Sequence, residues 1–144
     1  MHADGDQFAA ACTGLAQSVL REIAQHLATL AAKGETGVID LRSLPMNQAD
    51  RDELEEGLGR GDVEVTLNVA GMSEIWETRY SGVWWVRHFG ADNQIAVERI
   101  EIAAVPEILM THGADIAAAA ARLRQDLADD SSTSKGEDAA HVRP

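Results

Sequence analysis

Residues 73–89, SEIWETRYSGVWWVRHF, decide how this chain folds. Alternate side chains of a strand point to opposite faces of a sheet, so the adjacent Trp84 and Trp85 must serve two different faces. Ser81-Gly82 in the middle is a turn signal, which makes the stretch a β-hairpin. If the turn has two central residues, Tyr80 pairs with Val83, Thr78 with Trp85 and Trp76 with Arg87. One face then carries Trp76, Thr78, Tyr80, Val83, Trp85, Arg87 and Phe89. The other carries Ile75, Glu77, Arg79, Trp84, Val86 and His88.

The surrounding chain extends this hairpin into a sheet. Val63, Val65, Leu67 and Val69 alternate with Asp62, Glu64, Thr66 and Asn68, the pattern of a half-buried strand. Residues 95–102 supply another, and Gly71 and the run GADN at 90–93 are turn signals. The expectation is a four-stranded antiparallel meander. The run GVIDLR at 37–42 reads as either a short strand or an extended connector.

Three helices accompany it. Phe8, Leu15, Val19, Ile23, Leu27 and Leu30 recur at helical spacing and Gly34 follows, which predicts a helix over 8–33. Asn47 is a good N-cap with Asp50 three residues on, Leu54 and Leu58 face inward, and Gly59 and Gly61 stop this second helix. A last one over 115–129 places Ile116, Ala120, Leu123 and Leu127 on one face. The polar segment 131–144 lacks periodicity and reads as a disordered tail. The fold class is therefore α+β, one domain over 1–130, with three helices mainly on one face of the sheet.

That arrangement leaves the second sheet face needing cover. The tails or the 38–46 connector supply it, or it forms an interface with a second copy or a partner protein. Trp84 is expected in the core, and Trp76, Tyr80, Trp85 and Arg87 on a dimer or partner surface.

Composition narrows the function classes. Among 144 residues, 24 acids oppose 12 Lys and Arg, so nucleic acid and anionic membrane are poor partners. Cys12 is the only cysteine, which rules out an intrachain disulfide or a multi-cysteine metal site within one chain. Acids stand where a secretory leader needs positive charge, and no apolar run is long enough to insert in a membrane, which points to the cytoplasm.

Candidate chemistry is sparse. Asp50, Asp52, Glu53, Glu55 and Glu56 read as a solvated helix face, and His26 and Cys12 as surface or filler. Glu74, Glu77 and His88, with His112, can be drawn as metal ligands or an acid and base pair. Their spacing is unspecific, and Arg79 and Arg87 offer the carboxylates ion partners. No Walker loop, dinucleotide fingerprint, nucleophile elbow or HExxH motif is present. No catalytic residue, cofactor or metal site is assigned, and the chain reads as a binding protein rather than an enzyme.

Several residues together carry a family resemblance. They are Leu44-Pro45, Asp50, Leu54, Leu58-Gly59, Gly61-Asp62-Val63, Glu77-Thr78, Gly82-Val83-Trp84, Val86, Ile100-Glu101-Ile102 and Val105-Pro106. Over about residues 40–110 the chain resembles the conserved C-terminal region of hydrogenase expression/formation proteins of the HupH/HyaF type, as a short single-domain member. The resemblance implies a chaperone-like accessory role in maturing a nickel–iron uptake hydrogenase. It implies contact with a hydrogenase subunit, such as the iron–sulfur small subunit, or with other accessory proteins. A protein that handles nickel, iron or a cluster directly is the alternative. The family supplies no catalytic residues, and its matching positions include Glu77, Thr78, Gly82, Val83, Trp84, Glu101 and Pro106.

Overall fold

In the computed structural model, which describes residues 11–68 and 70–136, the N-terminal apolar spacing produces helix α1, Leu15–Lys33. It buries Ala16, Val19 and Ile23 and ends where Gly34, in the left-handed conformation, returns its N–H to Leu30 O. Gly14, also left-handed, precedes the first turn, so the helix starts later than the expected residue 8. Phe8 lies outside the described residues. Helix α2, Gln48–Leu58, begins at Asn47 with a full capping box. The Asn47 side chain accepts the Asp50 N–H, and the Asp50 carboxylate accepts the Asn47 N–H.

Among the described residues the sheet has five antiparallel strands, not four: β1 Gly37–Asp40, β2 Glu64–Asn68, β3 Met72–Glu77, β4 Val83–Phe89 and β5 Ile95–Ile102, in the order β1-β5-β4-β3-β2. The GVIDLR run supplies the extra edge strand. Gly37 pairs with Ile102 and Ile39 with Ile100. A run this short has little alternation to mark it, and its ladder exists only because β5 presents a free edge. Gly37 also lies directly under the His26 ring, where a Cβ would clash.

The central hairpin closes with a longer loop than expected. Thr78 N–H bonds Val83 O, Trp76 pairs with Trp85 and Glu77 with Trp84, so the register is displaced by two residues. Arg79 N–H is drawn away to Leu58 O at the end of α2, and Thr78 Oγ1 accepts the Tyr80 N–H, which holds residues 79–82 out of the ladder. A displacement of two preserves every side chain's face.

What changes is which face is the helix-covered core. Ile39, Trp76, Val83, Trp85, Ile100 and Ile102 pack with Val19 and Ile23 of α1 and Leu54 and Leu58 of α2. Trp76 and Trp85 are thus core residues, contrary to their expected place on a partner surface. The reason is that β5 puts Ile100 and Ile102 opposite Trp85 and Val83, and the apolar stripes of both helices close on that side. On the opposite face Ser73, Ile75, Trp84 and Val86 are buried too, and Trp84 Nε1 donates to Ala103 O at 3.0 Å.

The chain divides into two compact units, Met1–Pro106 and Glu107–Pro144. Two of the three expected helices belong to the first. The second contains α3, Gly113–Gly136, which starts earlier and ends later than the expected 115–129 and includes the first residues of the expected disordered tail. The last eight positions, 137–144, lie outside the described residues.

Candidate functional site

The most elaborate polar arrangement surrounds Glu98. Strand β5 places it two residues before Ile100, hence on the core face, with about 1% of its surface exposed. One carboxylate oxygen accepts from Trp85 Nε1 at 2.8 Å and Arg87 Nε at 2.9 Å, and the other from Arg51 of α2. Burial pushes this carboxyl up, but the hydrogen bonds from Arg51, Trp85 and Arg87 outweigh it and hold it below the usual glutamate range. Arg87 also reaches Glu74 at 3.6 Å and Glu55 at 4.0 Å, so that with Glu98 it ties β4 to β3, β5 and α2. Above it, Trp76 and Trp85 stack, and the Arg60 guanidinium lies 3.8 Å from the Trp76 ring centroid. The Glu98 carboxylate is saturated by these donors and reads as architecture. Sequence reasoning passed over Glu98, although a lone acid in phase with Ile100 and Ile102 is a legible signal.

Of the four residues expected on a partner surface, Tyr80 is the exposed one, at 51%. Its ring stands at the rim of an open apolar groove of about 270 Å³, formed with Leu20, Ile23, Ala24 and Leu27 of α1 and Gly57 and Leu58 of α2. Gly57 lets the helices meet here, since a Cβ would stand 3.3 Å from the Leu20 side chain. A glycine inside α2 was the sequence signal for this groove. A second, polar pocket of about 370 Å³ is lined by Arg42, Arg51, Gln94, Ile95 and Glu98.

The residues drawn earlier as acid, base or metal ligands do not converge. Glu74 shares the Trp76 face and faces Arg87, whereas Glu77 and His88 lie on the other face. His88 Nδ1 shares a 2.5 Å hydrogen bond with Ser73 Oγ, and Glu77 Oε2 accepts the Gly82 N–H. Arg79, expected to pair with a carboxylate, instead donates to Glu56 O and Gly57 O, a cation at the C-terminal end of α2.

Cys12, Asp50 and Glu53 offer three ligand atoms within 4.8 Å of one another. Asp50 is already committed, however, to the Thr13 N–H, the Thr13 hydroxyl and the Asn47 N–H. The hydrogen bond from the Thr13 N–H leads in holding its pKa below the usual aspartate range. The hydrogen bond with Glu53 pushes the Cys12 thiol up, away from the thiolate a metal needs.

Comparison with known proteins bears on what these features serve. The model of the HupH hydrogenase expression protein, C-terminal conserved region, matches residues 15–129. The chain belongs to the HupH family. A solved structure, hydrogenase expression protein HupH from Thiobacillus denitrificans ATCC 25259, is similar to it with a TM-score of 0.78 and 44% identity, over 83% of this chain and 99% of that one. The hydrogenase expression/formation protein HupQ of Azotobacter chroococcum mcd 1 is 33% identical over 88 residues, covering 61% of this chain and 31% of the relative. HupH of Rhizobium leguminosarum bv. viciae is 28% identical over 106 residues, 74% of this chain and 38% of the relative. The chain spans about a third of the length of these curated relatives.

The residues on which the family resemblance was read have concrete duties in this structure. Gly61 approaches the Thr78 carbonyl so closely that a Cβ would meet its oxygen at 2.7 Å, and its N–H bonds Glu77 O. Glu77 and Thr78 fasten the hairpin loop, the first through the Gly82 N–H and the second by accepting the Tyr80 N–H and donating to Tyr80 O. Gly82 has φ 90°, with Leu27 and Leu30 packed beside it. Val83 is in the core, Glu101 accepts from Arg99 at 2.8 Å, and buried Pro106 ends the first unit. Glu77 and Thr78 thus fix the loop that carries Tyr80. Among the described residues no helix is long and apolar enough to cross a membrane.

Proposed function

We propose that this chain is a non-enzymatic, cytoplasmic accessory factor in the maturation of a nickel–iron uptake hydrogenase, acting by protein–protein contact. The observation that carries the reading is the open groove between α1, α2 and Tyr80, on a member of the HupH family. Its walls are apolar, its rim aromatic residue is of a type that anchors interfaces, and the loop carrying that residue is held by Glu77 and Thr78. The occupant is an apolar segment of the iron–sulfur small subunit flanked by Lys or Arg. The chain carries a net charge of −12, and the exposed Glu56 carboxylate, next to Gly57, has no partner among the described residues, so a basic flank is the complementary one.

Co-purification of a tagged chain with hydrogenase subunit precursors tests this. Wild type should retain the small-subunit precursor and Tyr80→Asp should lose it while remaining folded, because the Tyr80 ring is half exposed. Equal recovery by both forms, or recovery of neither subunit, would overturn the reading. Stoichiometric nickel or iron in the purified chain would favour direct metal handling instead, and a dimer abolished by Tyr80→Asp would assign the groove to a second copy.

A further inference from the structure

The polar pocket at the other end of α2 is a separate feature, and we infer that it binds a carboxylate. Its donors come from three elements: Arg42 from the 3-10 turn Leu41–Ser43 after β1, Arg51 from α2, and Gln94 from the loop before β5. Glu98 forms part of the floor. By clamping one amino group of Arg51, buried Glu98 fixes that guanidinium in place, while its remaining N–H groups have no acceptor among the described residues. The Arg42 guanidinium likewise has none, although its backbone is held by Asp40, which accepts the Arg42 N–H at 3.0 Å. Gln94 is fixed on both sides of its peptide. Gly90 donates to its carbonyl at 2.8 Å and its own N–H reaches Asp92 at 3.1 Å, which leaves the side-chain amide to the pocket.

Two free guanidinium edges and an amide on rigid backbone, in a chain with twice as many acids as bases, form a concave cationic site. The charge balance selects the ligand. Arg42 and Arg51 against Glu98 leave the pocket at +1, which a single carboxylate neutralises. A phosphate dianion would leave an excess negative charge beside the buried Glu98 carboxylate, a costly placement. Planar guanidinium forks match planar carboxylates, and Ile95 supplies an apolar wall for the carbon next to the carboxyl group. The carboxylate is that of a small acid or of a peptide C-terminus.

Arginine Nε–H resonances of the full chain, followed by NMR during titration, test this without reference to hydrogenase. The probes are propionate, an N-acetyl dipeptide acid, the same dipeptide as its amide, and inorganic phosphate. The acids should shift the Arg42 and Arg51 signals saturably in the range of about 1–10 mM, the amide should not, and phosphate should bind more weakly. Arg42→Ala, an exposed substitution, should weaken acid binding by about tenfold, and Gln94→Ala should weaken it less, as loss of a charge-assisted and a neutral hydrogen bond requires. Tighter binding of the dipeptide acid than of propionate identifies a peptide terminus, and equal binding a small acid. Absence of a saturable shift with both acids, phosphate binding as tightly as carboxylate, or acid binding unchanged in Arg42→Ala would overturn the inference.

Discussion

Trp76 and Trp85 face each other across β3 and β4 with ring centroids 5.5 Å apart and planes 10° from parallel. Both are almost fully buried, and Trp85 also donates its indole N–H to Glu98. The pair therefore joins the apolar core to the buried charge centre in one contact. Two losses can be separated. Trp85→Ala removes the ring, leaves a cavity, and should cost about 3–5 kcal/mol. Trp85→Phe keeps much of the packing but removes a donor from Glu98, and should cost about 1–3 kcal/mol. Urea unfolding measures both, and near-UV circular dichroism should lose the coupled-indole signal in either variant. Equal costs would mean that the packing of the ring contributes nothing beyond the hydrogen bond.

Glu98→Gln should be destabilising by about 3 kcal/mol, because Arg51 and Arg87 would lose their shared anion inside the protein. The same group shapes acid stability. The Glu98 and Asp50 carboxyls both lie below their ordinary values in the folded state, so each contributes stability that is present above the unfolded value of about 4 and lost as pH falls through the lower folded value. Thermal midpoints should be level from about pH 7 to 5 and fall below about pH 4. The fall should be shallower in Glu98→Gln.

Arg60→Ala should uncover Trp76. The guanidinium lies 3.8 Å from the ring centroid, and Trp76 is only 2% exposed. The expected loss is about 0.5–1 kcal/mol, with a red-shifted tryptophan emission and faster acrylamide quenching. Arg60→Lys should restore part of the stability but less of the shielding, since an ammonium does not stack as a planar guanidinium does.

Gly61→Ala tests the close approach of Gly61 to the Thr78 carbonyl. The added Cβ would meet a backbone oxygen, which cannot swing aside as a side chain can, so the strand end must move. A cost of about 1–3 kcal/mol is expected. The shift should also disturb the loop holding Tyr80, readable as altered amide exchange at residues 78–82. Gly14→Ala, where nothing lies near the added carbon, is the comparison for backbone strain alone.

The α2 boundary, the amphipathic face of α1 and the assignment of the hairpin's paired residues, 73–77 and 84–88, to one of two faces were legible in the sequence. Each follows from a local rule: Asn47 and Asp50 satisfy one another within one helical turn, apolar spacing gives α1 its stripe, and strand alternation is independent of loop length to the nearest even number. Glu98 was equally legible in principle, being in phase with Ile100 and Ile102.

Other features depended on groups far apart in the chain. Gly37 to Asp40 became a strand only because β5 offered an edge, and the hairpin loop lengthened only because Leu58 and Arg79 hydrogen-bond across the fold. Alternation told that Trp84 and Trp85 point opposite ways, but it contains no information on where α1 and α2 settle. Which face forms the helix-covered core is decided by where those helices settle, and that placed Trp85 with Trp76 in it and left Tyr80, carried by the lengthened loop, at the mouth of the groove.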